Sequence, residues 1–200
     1  MCITFYLLGG ISQMAQAKTF TAEEFDALLD FVSKRSYAMR NRMMILISFW
    51  SGMRVGEIAS LRIEDVVDAS GKVKREIRLD ASQTKGHHAR TVFFPEKLAA
   101  ELQVYVDARA VKDRKQPFFM TAGGKAFSAN VMTQHFFWLY RKAGFETGSH
   151  SGRRSFITNL ASKGIGVRVL ASLAGHLDYR VTMKYIDAND DMKRNAVELI

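Results

Sequence analysis

The chain holds a single cysteine, Cys2, which excludes an internal disulfide framework and makes a reducing compartment, the cytoplasm, the expected setting. Long apolar runs are missing as well. The one early candidate, residues 3–11, falls far short of the roughly 20 residues a membrane span needs, and no lysine or arginine precedes it as in an export signal. Five histidines form neither an HExxH pattern nor a cluster with cysteine, so no metal is called for. Internal repeats and low-complexity linkers are absent too, and nothing marks a boundary between modules. Acidic residues are the last shortage: 20 Asp and Glu face 29 Lys and Arg, a formal charge of +9. That balance suits a polyanionic partner, and nucleic acid leads the candidates.

What is present reads as globular. Two hundred residues, 48% apolar and 24% charged, suffice for one domain with a sizeable core. The text from Met14, MAQAKTFTAEEF, resembles a natural start, which makes residues 1–13 an extension of the reading frame. Residues 1–19 are therefore expected as a poorly ordered or non-native leader, and 20–200 as a single domain. Thr21 and Glu24 form a capping box ahead of Phe25, Leu28, Leu29 and Val32, predicting a helix to about Lys34. A second, rich in Met and Ile, should run from Tyr37 to Trp50 and stop at Gly52. Arg54 then opens a short helix. Valines 66, 67 and 73, the run to Leu79 and the run Arg90–Phe94 predict three antiparallel strands, with Lys85 and Gly86 at the last hairpin tip. Helices follow over 96–110, from the Ser128 cap to Gly144, over 151–163 and 167–174, on a short segment from Tyr179 that carries Tyr185, and over 187–200. The fold class is α+β, mainly α, with a small three-stranded antiparallel sheet.

Six side chains stand out by chemistry: Arg54, Lys85, His150, Arg153, His176 after Gly175, and Tyr185 near the end of GHLDYRVTMKYI. A tyrosine hydroxyl, with a pKa near 10, is a weak nucleophile at neutral pH, so chemistry done by it needs neighbours that stabilise charge and move protons. Taken singly, each residue has an ordinary reading: a solvated turn lysine, a hydrogen-bonded histidine, a core tyrosine. Their order and spacing are another matter. Arg, Lys, His-x-x-Arg, Gly-His, then Tyr resembles the catalytic domain of the tyrosine recombinases, the phage-integrase family, over roughly residues 20–190.

The resemblance implies that Arg54 and Arg153 hold a scissile phosphodiester, a task for which planar two-pronged donors are suited. It further implies that His150 and His176 assist the arginines, that His150 helps move the proton at the tyrosine, and that Lys85 protonates the leaving 5′ oxygen. Tyr185 is then the nucleophile. Tyr37, Tyr105 and Tyr140 fall in apolar helical patterns, Tyr6 lies in the leader, and the competitor Tyr179 stands only three residues from His176. Lys72, Lys74 and Arg90, in the sheet region, read as DNA-backbone contacts or solvent charges. Glu57 and Leu61 read as structural. Family members often carry His after the HxxR arginine; Arg154 stands there and is expected to pack or to touch DNA. Most members also carry an N-terminal helical domain, for which this chain has no room, so a short single-domain type is expected, with a truncated phage or plasmid integrase as the alternative. The function implied is site-specific DNA recombination, integrase or invertase, through a 3′-phosphotyrosine, without metal, ATP or other cofactor. Duplex DNA, a tetrameric synapse of identical chains and DNA-bending helpers are the implied partners, at the nucleoid. Type IB topoisomerase-like relaxation, or regulation by DNA binding without turnover, are the alternatives.

Overall fold

A computed structural model describes residues 17–109, 113–186 and 190–198. Helix α2 (Ala38–Ser51) is apolar nearly all round, and Met43 to Ile47 are at most 2% exposed, as befits a helix enclosed on every side. Around it pack α1 (Ala22–Ser33), α5 (Glu96–Arg109) and α7 (Ser151–Ala161). Thr21 caps α1 through the expected reciprocal bonds with Glu24. Of the proposed leader, residues 1–16 lie outside the described residues. The part that is described is anchored: the Lys18 amide donates to Thr147 Oγ1, the Phe20 amide donates to Ser155 Oγ, and the Phe20 ring packs among Phe49, Tyr140 and Phe145.

Gly52 ends α2 in the left-handed conformation (φ +66), with the Phe156 ring where a side chain would stand. That cap turns the chain straight into Arg54, the N-cap of α3 (Val55–Ser60). A further turn, α4 (Ile63–Val66), was not anticipated, and it explains why the sheet has two strands rather than three. Asp65 accepts from the Arg62 amide and starts the turn, which takes Val66 into a helix. Only Val67 remains to meet Val73, by an isolated bridge. The sheet proper is β1 (Glu76–Leu79) paired antiparallel with β2 (Arg90–Phe93), Ile77 opposite Val92 and Leu79 opposite Arg90. Between the strands lies a 3₁₀ turn, Ala81–Gln83, and then the turn bearing Lys85.

The C-terminal half holds α6 (Ala129–Lys142), capped by Ser128, then α7, α8 (Val167–Ala174), α9 (Tyr179–Met183) and α10 (Asp190–Val197). Tyr185 stands in the turn just past α9 rather than within it. Of the helix expected over 187–200, the structure describes Asp190–Val197; residues 187–189 and 199–200 lie outside the described residues. Among the described residues no helix is long and apolar enough to cross a membrane.

Candidate active site

Two helix C-termini meet at the centre of the site. The last carbonyls of a helix lack partners and carry partial negative charge, which makes the place fit for a cation. Arg153, on the first turn of α7 and only 4% exposed, fills it. One guanidinium nitrogen donates to Gly52 O, beyond α2, at 2.6 Å; the other donates to Ala174 O, at the end of α8, and to His176 Nε2 at 2.9 Å. Burial, and after it the nearby Arg54, hold its pKa below the ordinary arginine value, at about 9, so it is charged at neutral pH. Gly175, in the left-handed region at φ +63, reverses the chain after α8 and delivers His176 to Arg153.

His176 is fixed on both sides. Arginine can only donate, so Nε2 accepts; Nδ1 therefore carries the proton and donates to Thr182 Oγ1 at 2.8 Å. Thr182 is fully buried on α9, which ties the histidine to the segment carrying Tyr185. The two rings lie near-parallel, 16° apart in plane, with centroids separated by 6.0 Å. Thr158 on α7 holds the Tyr185 carbonyl at 3.3 Å, and the Arg154 guanidinium lies 5.4 Å from the tyrosine ring centre while its Nε donates to Thr19. Arg154 thus packs, as expected.

Arg54 connects this group to the cleft. Its Nη2 donates to Gly175 O at 3.3 Å, and its Nη1 and backbone amide donate to Glu57, at 3.0 and 2.8 Å. On the other side, Arg54, Lys85 and His150 line one open cleft of about 580 Å³, together with Asn130 and Thr133 of α6. Lys85 is exposed in its loop, which Thr84 braces by bonding both the amide and the carbonyl of His88. Partial desolvation against the cleft wall, then Arg153, Lys85 and Arg54, lower the pKa of His150. The chain therefore gathers the arginines and His176 by direct bonds, stacks Tyr185 on that histidine, and sets Lys85 and His150 at the cleft beyond Arg54.

Some side chains are more deeply engaged than the sequence suggests. Glu57, read as merely structural, has a side chain 1% exposed and bonds both Arg54 and Arg90. Arg90, read as a DNA contact or solvent charge, is 10% exposed and fully engaged. Its partner lies 33 residues away, so only the tertiary fold could pair them. Lys74 likewise donates to the Glu64 carbonyl at 2.7 Å. Thr182, which opens the Thr182–Tyr185 segment, gave no sign in the sequence of its bond to His176. Among the described residues, no three His, Cys, Asp or Glu side chains gather as a metal site.

The histidine makes the site's electrostatics measurable. Burial first, then Arg153, Arg54 and Arg90, depress the His176 pKa from 6.5 to about 4. The native state thus takes up this proton less readily than the unfolded chain, so its contribution to stability is full above pH 6.5 and is lost as the pH falls toward about 4. His135, half-buried beside Asn41 and pushed to about 4 by desolvation and Arg40, acts in the same sense. Melting temperature should therefore decline across that window. Saturating inorganic phosphate should in turn raise the His176 pKa, read by imidazole nitrogen NMR, because the anion neutralises the three guanidinium charges. An unmoved value would show that phosphate binds elsewhere.

With fold and site in place, the class is defined. The phage integrase family model matches residues 18–192, and the chain belongs to that family, the tyrosine recombinases. Tyrosine recombinase XerA of Pyrococcus furiosus is 28% identical over 186 residues, covering 90% of this chain and 61% of that protein. A tyrosine recombinase of Pseudothermotoga lettingae is 28% identical over 180 residues, covering 87% and 57%. The chain spans about three fifths of the length of these curated relatives. A crystal structure of XerA recombinase matches with a TM-score of 0.73 at 23% identity, over 91% of this chain and 64% of that one. The catalytic domain of bacteriophage HP1 integrase matches at 0.64 and 18%, over 92% and 95%.

Proposed function

We propose that the protein cuts and rejoins duplex DNA through a covalent bond between Tyr185 and a 3′ phosphate, as a site-specific recombinase. The observation that carries this reading is the concentration of Arg54, Arg153 and neutral His176 around Gly175, with the Tyr185 ring near-parallel to that histidine and Glu57 as the carboxylate bonded to Arg54. A surplus of fixed guanidinium charge is what a phosphodiester needs as attack crowds its non-bridging oxygens. Tyr185 Oη attacks phosphorus, its proton passing toward His150; the P–O5′ bond breaks, and Lys85 protonates the departing 5′ oxygen. Bond energy is retained in the phosphotyrosine, so a 5′ hydroxyl from either the same or another strand can reverse the step without ATP.

The solved structures of Tn1549 transposon integrase include a complex with transposon right end DNA, and duplex DNA is the substrate we assign here. Exchange between two duplexes calls for a tetrameric synapse, in which residues after Asp187 pack on a neighbouring protomer and DNA-bending proteins assist. The setting is the cytoplasm, at the nucleoid. A single domain over 20–200 carries the chemistry.

The direct test is a nicked suicide duplex built from the DNA flanking the gene, whose short 5′ product diffuses away and strands the intermediate. A covalent adduct on the peptide containing Tyr185 is expected; an adduct on Tyr179, or none, would overturn the assignment. The leaving-group role is tested separately. Lys85→Ala should slow cleavage about 100-fold on ordinary DNA yet only about threefold where sulfur replaces the bridging 5′ oxygen, since a thiolate departs unprotonated. Equal losses on both substrates would remove Lys85 from that role.

A further inference from the structure

Arg90 is not among the six candidate side chains, yet it makes as many hydrogen bonds as Arg153 does. It opens β2, five residues after Lys85, and reaches across to α3 and α8. Its Nε and Nη2 grip the two Glu57 oxygens at 3.2 and 2.7 Å, and its Nη1 donates to Leu173 O, near the end of α8, at 2.9 Å. The stem runs over Gly175 so closely that any side chain there would collide with Cδ and Nε of Arg90. Glu57 thus takes four bonds, two from Arg90 and two from Arg54, which fills the usual capacity of a carboxylate.

The distribution of charge follows from that sharing. Were Arg90 absent, the buried Glu57 carboxylate would keep hydrogen bonds from Arg54 alone, and a buried charge short of partners draws its remaining neighbour strongly. Arg54 would then be spent on Glu57 instead of on a phosphate. Burial alone would push the Glu57 carboxyl up, and the bonds and charges of Arg90, then Arg54, outweigh it and hold it below its ordinary value. Loss of the Leu173 contact would also loosen the α8 terminus, from which Ala174 O meets Arg153 and His176 departs.

We propose that Arg90 is a positioning residue for strand cleavage: by sharing Glu57 it limits the hold of that carboxylate on Arg54 and leaves the remaining guanidinium N–H donors of Arg54 to the scissile phosphate, and by holding the end of α8 it keeps Arg153 and His176 in register. This inference rests on the recombinase reading above. A purely structural Arg90 would matter equally for any substrate, whereas a residue acting through Arg54 matters in proportion to the charge on the phosphate. The test uses Arg90→Met, Arg90→Lys and Arg90→Met with Glu57→Gln, in single-turnover cleavage of nicked duplex. One substrate is ordinary, and the other carries an uncharged methylphosphonate at the scissile position.

On ordinary DNA, Arg90→Met should cleave about 100-fold slower, the scale of a misplaced catalytic group, while duplex affinity stays within about threefold. On methylphosphonate the deficit should shrink at least about tenfold, adding Glu57→Gln should recover about tenfold, and Arg90→Lys should fall between Arg90→Met and wild type. Equal deficits on both substrates, together with multiplying effects in the double variant, would overturn the proposal. If Arg90→Met fails to fold by circular dichroism, Arg90→Lys and the double variant carry the same comparison. If the wild type forms no adduct, the recombinase reading itself fails. The inference is then read from inorganic phosphate binding, followed at the His176 imidazole: Arg90→Met should weaken it and added Glu57→Gln restore it, and no change would overturn it.

Discussion

Tyr185→Phe should bind duplex DNA within about threefold of wild type and yield no covalent adduct, a loss on the order of 10⁴-fold or more, as for other nucleophile deletions. The substitution removes one oxygen and leaves the ring. That ring is what the fold holds: it lies near-parallel to His176, with Arg154 over it, while the backbone carbonyl is fixed by Thr158. None of these contacts uses the hydroxyl, so α9 and its turn should keep their place and the melting temperature should be unchanged. Gel shift and denaturing electrophoresis on the same nicked duplex separate the two outcomes. An adduct formed by the Phe variant would transfer the nucleophile's role to another residue, and Tyr179, 55% exposed at the start of the short helix before it, would be the first to examine. Loss of both binding and adduct would instead place the hydroxyl in DNA recognition.

Much of the scaffold was legible because its signals are local. Thr21 with Glu24 and Ser128 mark helix starts through bonds made within three residues, Gly52 marks a helix end through its left-handed backbone, and all three do so in the structure. The six candidate side chains were legible through order and spacing. Where the structure departs from expectation, a competing interaction won. Asp65 drew Val66 into a helical turn and removed the third strand. Arg90 looked like a surface charge because alternation along β2 says nothing about a carboxylate on α3. Glu57 was equally opaque: three residues after Arg54 it reads as an ordinary helix-start acid, and it does accept the Arg54 amide, but its other two bonds come from Arg90 on β2. The tautomer of His176 was beyond any pattern, since it follows from a donor 23 residues upstream and an acceptor six residues downstream.

The second large effect concerns Arg153. Arg153→Ala should lower cleavage about 10³-fold or more, the cost of deleting a preorganised donor from an anion-stabilising site. Unlike Tyr185→Phe, this variant should also be less stable. Gly52 O and Ala174 O lose their buried donor together, at about 1–3 kcal/mol each, so the melting temperature should drop by roughly 10 °C for a chain of this size. Kinetics are therefore measured well below the lowered transition. Arg153→Lys separates the two contributions. A lysine keeps the charge and can satisfy one carbonyl, but as a single point donor it cannot serve Gly52, Ala174 and His176 in one plane. Stability should return in part, and cleavage should remain depressed by about 100-fold. The imidazole supplies an independent readout: after burial, Arg153 is the leading cause of the low His176 pKa, so Arg153→Ala should raise that pKa from about 4 toward 6.5 and Arg153→Lys should raise it less. Cleavage by Arg153→Ala within about tenfold of wild type, with the His176 titration displaced as expected, would show that this guanidinium supports the fold rather than the phosphate.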